Sequence, residues 1–244
     1  MINRESDIPY FKQLHAIIEN DIANGVYKTG DKLPSENDLC ARYDVSRTTV
    51  RQALNLLLQQ DLVYSVHGKG TFVKLPELNH ELSKVVSFGK VLEASGIRGY
   101  TKMISFDTFK GGSKASEYLG QDIFRMALMG YAKDAPVVYY ESFIRSDYRD
   151  MMYDEAEKLE MQHKAFSTYD IYKRLGKKIG RIDQKLHAIS ADERLTKLFG
   201  RTVDPLVLIK LESIYYDESN VPIEYKTAYY RADVYSFELK REVD

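Results

Sequence analysis

The chain has 244 residues, 44% hydrophobic and 29% charged, with a formal net charge of -1. That length allows one large domain or two modest ones, and the apolar content excludes a disordered chain. The near-neutral balance excludes nucleic-acid affinity driven by a global positive field, so any such affinity has to come from a local, salt-sensitive patch. The single cysteine, Cys40, excludes an intramolecular disulfide and a multi-cysteine metal site; between Leu39 and Ala41 it reads as a small buried thiol. No apolar run approaches the roughly 18 residues needed to span a bilayer, and the first residues lack the apolar segment of a signal peptide. A cytoplasmic protein without membrane contact or cofactor is expected.

In chain order, Pro9 opens a helix in which Phe11, Leu14, Ile18 and Ile22 line one side and Gly25 marks the end. Pro34 stops what precedes it, Ser35 can accept a hydrogen bond from a free N–H, and Asp38 completes a capping box, predicting a short helix to about Tyr43. After the turn Asp44-Val45, Ser46 is the next N-cap. Behind it Val50, Ala53, Leu54 and Leu57 recur at helical spacing, leaving Arg47, Thr48, Arg51, Gln52 and Asn55 on the exposed face. Leu62 to Val66 and Thr71 to Val73 flank two glycines and predict a hairpin, with His67 and Lys69 at its tip and Gly68 and Gly70 permitting close backbone approach. This order is that of a winged helix-turn-helix. Arginines at the start of its second helix suit guanine edges or phosphates, the free N–H groups suit phosphate, and Thr48 and Thr49 are short enough for the backbone or a thymine methyl. The candidate DNA contacts are Ser35, Glu36, Arg47, Thr48, Thr49, Arg51, Gln52, His67, Gly68, Lys69 and Gly70.

Lys74 to Asn79 breaks the pattern, dividing the chain into residues 1–75 and 81–244 with a linker at 76–80. In the second part helices are predicted at Leu82 to Ala94, Ser113 to Leu119, Ser167 to Leu175 and Ala191 to Phe199. Strands are predicted at Lys102 to Phe109, Ile123 to Gly130, Val137 to Ile144, Ile179 to Ile189, Leu206 to Tyr216 and Ile223 to Tyr230, with Val234 to Leu239 adding an edge. Hairpins predominate, so the fold class is α+β: the winged helix-turn-helix followed by a domain with a mainly antiparallel sheet and helices on one face. The nineteen tyrosines and ten phenylalanines serve either as core or as stacking surfaces for a carbohydrate.

The Leu33-Pro34-Ser35-Glu36, Val45 to Arg51 and His67 to Val73 motifs resemble the winged-helix domain of the GntR family of bacterial transcription regulators. The resemblance implies that Arg47, Thr48, Thr49 and Arg51 contact DNA from the recognition helix, with His67, Gly68 and Lys69 at the wing; Asn37 stands where many relatives place a phosphate-touching arginine. Val221 to Tyr225 and Tyr229 to Phe237 resemble the end of the UTRA domain of the HutC-like branch, a chorismate-lyase-like fold that binds small molecules, frequently phosphorylated sugars or amino-acid-derived metabolites. By that resemblance Ser87, Phe88, Glu141, Ser167, Tyr169, Glu224, Arg231 and Tyr235 are effector contacts. Glu224 would accept from a ligand hydroxyl while Arg231 and Tyr235 close the pocket; the alternative is a structural Glu224 to Arg231 ion pair. Ser167 caps its helix, with or without an anion at that terminus. Where relatives grip phosphate with an Arg-x-Arg pair, this chain has Leu128 and Gly130, and the carboxylate of the following strand falls at Tyr140 or Glu141 depending on a one-residue register shift.

The function expected is that of a transcriptional regulator: a repressor that binds a palindromic operator as a homodimer, modulated by a small molecule of the sugar or phosphosugar class. An enzyme finds no metal-ligand spacing, nucleophile elbow or phosphate loop, and the five histidines are scattered. An architectural DNA binder whose second domain only dimerises is the third reading.

Overall fold

The computed structural model describes residues 1–75, 77–82, 85–109, 112–200 and 205–240. The chain divides into two compact units, Met1–Pro76 and Glu77–Asp244.

In the first unit α1 (Tyr10–Ala23), α2 (Glu36–Tyr43) and α3 (Arg47–Gln59) precede a hairpin of β1 (Val63–Val66) and β2 (Gly70–Val73). The capping box forms: the Ser35 hydroxyl accepts from the Asp38 amide while the Asp38 carboxylate accepts from the Ser35 amide, and the Ser35 hydroxyl and amide, both donating to that carboxylate, hold it below its usual value. Asp44, at φ +51°, takes the left-handed conformation that ends α2 and turns the chain into α3. The predicted stripe of Val50, Ala53, Leu54 and Leu57 is buried against Leu14, Ile18 and Ile22 of α1, Leu39 of α2, and Val63 and Val73 of the hairpin. Cys40 is half-buried at the edge of this core rather than inside it.

The second unit is built on a six-stranded, wholly antiparallel sheet. Its strands are β4 (Gly99–Phe109), β5 (Ile123–Ala132), β6 (Ala135–Arg145), β7 (Ile179–Ser190), β8 (Val207–Asp217) and β9 (Pro222–Arg231), in the order β4-β5-β6-β9-β8-β7. Its helices are α4 (Phe88–Ala94), α5 (Lys114–Leu119), α6 (Arg149–Met161), α7 (Thr168–Arg174) and α8 (Glu193–Leu198). They cover both faces, which corrects the one-face expectation. On one face Phe88 of α4 lies over Gly130, Tyr153 of α6 meets Phe106, and Thr168 of α7 reaches Glu224. On the other, Ala115 of α5 packs with Ile123 and Tyr225, and Leu195 of α8 and Phe199 just beyond it pack with Ala127, Met129, Tyr139 and Leu208.

Four elements depart from the expectations. Leu78–Glu81, whose first three residues fall in the expected linker, is strand β3, and it pairs in parallel with β10 (Tyr235–Glu238) in a separate two-stranded sheet. The stretch Val234 to Leu239 therefore does not edge the main sheet. Helix α4 starts at Phe88 rather than Leu82, because the Leu82 amide donates to the Glu238 carbonyl and continues the β3–β10 ladder. Helix α6 was not anticipated: among its many charges only Met152, Ala156 and Leu159 provide an apolar face, and Glu155 joins them in the interior through its ion pairs with Arg174 and Lys158.

The outer face of β8 and β9 carries a charged knot. Burial alone would raise the Glu212 carboxyl, but hydrogen bonds from Lys210 (3.1 Å), Tyr225 (2.9 Å) and Lys114 (3.2 Å) outweigh it and hold the group at about 2. A carboxyl lowered in the folded state contributes stability above its unfolded value, roughly 4.3, and loses it as pH falls toward the folded one. Glu212→Gln is thus expected to flatten the decline of stability below pH ~4, followed as melting temperature against pH. In the first unit, Leu57→Ala removes a wholly buried side chain. It is expected to cost about 2–5 kcal/mol of that unit's stability in a urea titration followed by circular dichroism.

Candidate DNA-reading surface and effector pocket

Helix α3 is set up by Ser46, whose hydroxyl accepts from the Thr49 amide at 3.2 Å and lies 2.9 Å from the Thr49 hydroxyl. Thr49 is therefore half-buried and engaged at the cap, whereas Arg47, Thr48, Arg51, Gln52 and Asn55 are exposed together on the outer face. Arg51 is aimed by Glu36 of α2, whose two carboxylate oxygens receive its Nε at 3.0 and 3.1 Å. Both partners are well exposed, so exchanging this carboxylate for a phosphate or guanine edge costs little. Ser35 caps α2, while the exposed Gln52 follows Arg51 on the outer face.

In the hairpin, the Lys69 amide donates to the Val66 carbonyl at 3.0 Å and leaves His67, Gly68 and Lys69 exposed at the tip. Gly68 has φ +71°, a conformation that L side chains rarely adopt. Gly70 is half-buried with φ +123°, and a Cβ there would stand 2.6 Å from the Lys32 side chain. Lys32, which bridges to Phe72 beside β2, is a cation at the wing that sequence reasoning missed; its signal was only a lysine before a proline-ended segment.

In the second unit a cleft lies on the α7 side of the sheet. Its enclosed end, about 40 Å³, is walled by Phe88, Tyr140, Ser167, Ser213, Tyr215, Lys226 and Tyr230, and by His80 of β3. It adjoins a more open space of about 260 Å³ that shares Leu82, Val85, Tyr169 and Gln184 with it and adds Ile182 and Arg181. The enclosed end alone has room for only a few waters, so a molecule of sugar size would need both spaces.

The floor is a polar cluster between sheet and helix. Lys226 Nζ donates to the Thr168 hydroxyl at 2.6 Å and the Tyr215 hydroxyl at 3.2 Å and lies 3.6 Å from Glu224. The Thr168 hydroxyl in turn donates to Glu224 Oε1 at 2.7 Å, which also accepts from Ser142 at 2.6 Å. Burial works against the Lys226 ammonium, but the Glu224 charge and the Tyr215 hydroxyl outweigh it, and the lysine stays protonated well beyond its ordinary range. Burial likewise raises the hydroxyls of Tyr140, Tyr215 and Tyr230, so these walls are neutral.

The structure brings together some of the predicted effector residues and separates others. Phe88, Ser167 and Tyr169 line the cleft, with Ser167 held by a capping box with Asp170. Ser87 is buried at the N-cap of α4, outside the lining. Glu224 is fully buried beneath Lys226, so its place is under the wall rather than on it. The Glu224 to Arg231 ion pair does not form: odd and even positions of β9 face opposite ways, and Arg231 pairs instead with Asp233, at 2.6 and 3.1 Å, and donates to the Pro136 carbonyl. Glu141 faces outward for the same reason, between Arg125 (3.5 Å) and Arg194 (3.4 Å), and Tyr140 takes the inner position. Tyr235 supports the wall from behind, edge-on to Tyr230 at 4.8 Å. Leu128 is buried, and the space beside Gly130 is filled by the Phe88 ring, which a Cβ would meet at 2.7 Å.

Comparison with known proteins places both units. The model described as bacterial regulatory proteins, gntR family, matches residues 11–73, and that of the UTRA domain matches residues 94–236. The chain is 28% identical to the HTH-type transcriptional repressor NagR of Bacillus subtilis (strain 168) over 242 residues, covering 97% of this chain and 96% of that one. It is 26% identical to the mannosyl-D-glycerate transport/metabolism system repressor MngR of Escherichia coli (strain K12), covering 95% of each chain. The crystal structure of PhnF from Mycobacterium smegmatis shares the fold, with a TM-score of 0.63 at 21% identity over 95% of this chain and 100% of that one. A capped recognition helix beside a glycine-tipped wing, followed by a sheet domain with an inward cleft, is thus matched in both halves, and the chain is a DNA-binding transcriptional regulator that belongs to the gntR family of bacterial regulatory proteins and carries a UTRA domain.

Proposed function

We propose that this regulator, of the HutC-like branch, is a cytoplasmic repressor that binds a palindromic operator as a homodimer and is modulated by a small effector of the sugar class held in the second unit. Residues 1–75 read DNA; residues 81–244 bind effector and dimerise. The observation that carries the reading is the outward face of α3, where Arg47, Thr48, Arg51 and Gln52 are exposed beside the wing. A single such helix reads one half-site, and twofold pairing across successive major grooves supplies the rest of the affinity. Support for the effector class comes from the relatives, one named for a mannosyl-D-glycerate system and another as a probable repressor of fructoselysine utilization. Among the described residues no helix is long and apolar enough to cross a membrane, in keeping with the proposed location.

Gel shifts on the DNA upstream of its own gene test this. Arg47→Ala is expected to weaken specific retention roughly 5- to 150-fold, the worth of one bidentate base contact. Lys69→Ala, at a phosphate, is expected to weaken binding to all sequences and lower the slope of log affinity against log salt by about 1. No specific retention by the unaltered protein at moderate salt overturns the reading.

A further inference from the structure

We infer that Lys226 makes the pocket selective for a carboxylate-bearing ligand, a sugar acid, over both neutral sugars and phosphorylated ones. This rests on the cleft being the effector site. Among the described residues lining its two spaces none is acidic, and each space has a cation: Lys226 at the enclosed end and Arg181 at the open one. Arg181 is matched by Asp183 and stacked 4.1 Å over the Tyr216 ring, so the inner ammonium sets the chemistry of the closed end.

Lys226 is held in place before any ligand arrives. Two of its three protons go to Thr168 and Tyr215, and the third is left for a ligand acceptor. Glu224 does not offer the complementary hydroxyl contact: it is fully buried and outside the lining, its Oε1 accepts from Ser142 and Thr168, and its Oε2, though without a hydrogen-bond partner, is closed off from the cleft by burial. The enclosed end thus presents a donor carrying charge, fixed by the protein's own Thr168, Tyr215 and Glu224 contacts.

The count of charges separates carboxylate from phosphate. Lys226 supplies a single positive charge that already has Glu224 3.6 Å from it, and a phosphate near neutral pH brings about 1.5 to 2 negative charges. A second positive group is needed to hold those charges, and the neighbouring space beside Gly130 is filled by the Phe88 ring. A carboxylate brings one charge and a planar pair of acceptors. The sugar ring then lies toward the more open space beside Tyr169.

The test is titration calorimetry on the full-length protein with D-glucose, D-glucuronate, methyl D-glucuronate and D-glucose 6-phosphate, and with the galactose series in parallel. In at least one series the acid is expected to bind about tenfold or more tightly than the neutral sugar, the uncharged methyl ester and the 6-phosphate. In Lys226→Met, and in the double variant Lys226→Met/Glu224→Gln that keeps the buried site neutral, the ratio of acid to ester is expected to fall to near one. A 6-phosphate or neutral sugar that binds best overturns the inference and leaves the effector site standing. An unchanged acid preference in a variant whose melting curve shows it folded removes Lys226 as the selector. If no member of either series binds, the sugar reading fails and the inference with it; the ester comparison needs no variant, so it decides even where the variants do not fold.

Discussion

Burying a lysine and a glutamate between a sheet and a helix carries a desolvation cost that their mutual attraction and their hydrogen bonds have to offset. In this regulator Glu224 and Lys226 lie 3.6 Å apart and are bonded from three elements, Ser142 from β6, Tyr215 from β8 and Thr168 from the start of α7, while Glu224 Oε2 stays buried without a hydrogen-bond partner. The sheet cannot shift its register against α7 without leaving one of these charges uncompensated. The cluster therefore fixes at once where α7 sits, which side chains floor the cleft, and how Ser167 and Tyr169 are presented above it.

That arrangement depends on the two-residue period of β9. Glu224, Lys226, Ala228 and Tyr230 face the cleft helices, while Tyr225, Thr227, Tyr229 and Arg231 face the other way. The same parity separates Tyr140 from Glu141 on β6 and gives the second face its own charged knot around Glu212. A one-residue slip exchanges the two faces wholesale, turning Arg231 toward the cleft and Lys226 toward the face covered by α5 and α8. The neutral tyrosine walls of the cleft and the ion-paired outer surface are two consequences of one register.

Legibility in the sequence follows from how local each determinant is. The DNA-reading unit is written in short-range signals: Ser35 and Asp38 cap one helix, Ser46 caps the next, and Gly68 turns the wing, so α2, α3 and the hairpin are readable within a few residues of where they form. In the second unit the strong strands of β5, β6, β8 and β9 are equally legible from β-branched and aromatic runs. The site is not. Lys226 is paired by residues 58 and 11 positions away in the chain, and nothing in its own neighbourhood separates a buried pair from two solvated charges. Strand β3 hides for a related reason: Leu78-Asn79-His80-Glu81 has little strand character and is ordered by pairing with β10 at the far end of the unit.

The pairing of β3 with β10 also fixes one wall of the cleft. β3 begins two residues after Pro76, the last residue of the DNA-reading unit, and its His80 is packed between Tyr230 at 5.7 Å and Phe237 at 5.2 Å while lining the enclosed end of the cleft. Burial lowers the affinity of His80 for a proton, so it stands in that wall as a neutral ring. A ligand shifts an equilibrium only by the difference in its affinity for two states. Any arrangement of β3 that moves His80 changes the shape of the enclosed end and therefore the ligand's affinity. By the reciprocity of linkage, a ligand that filled that end would in turn favour the placement of β3 that shapes it.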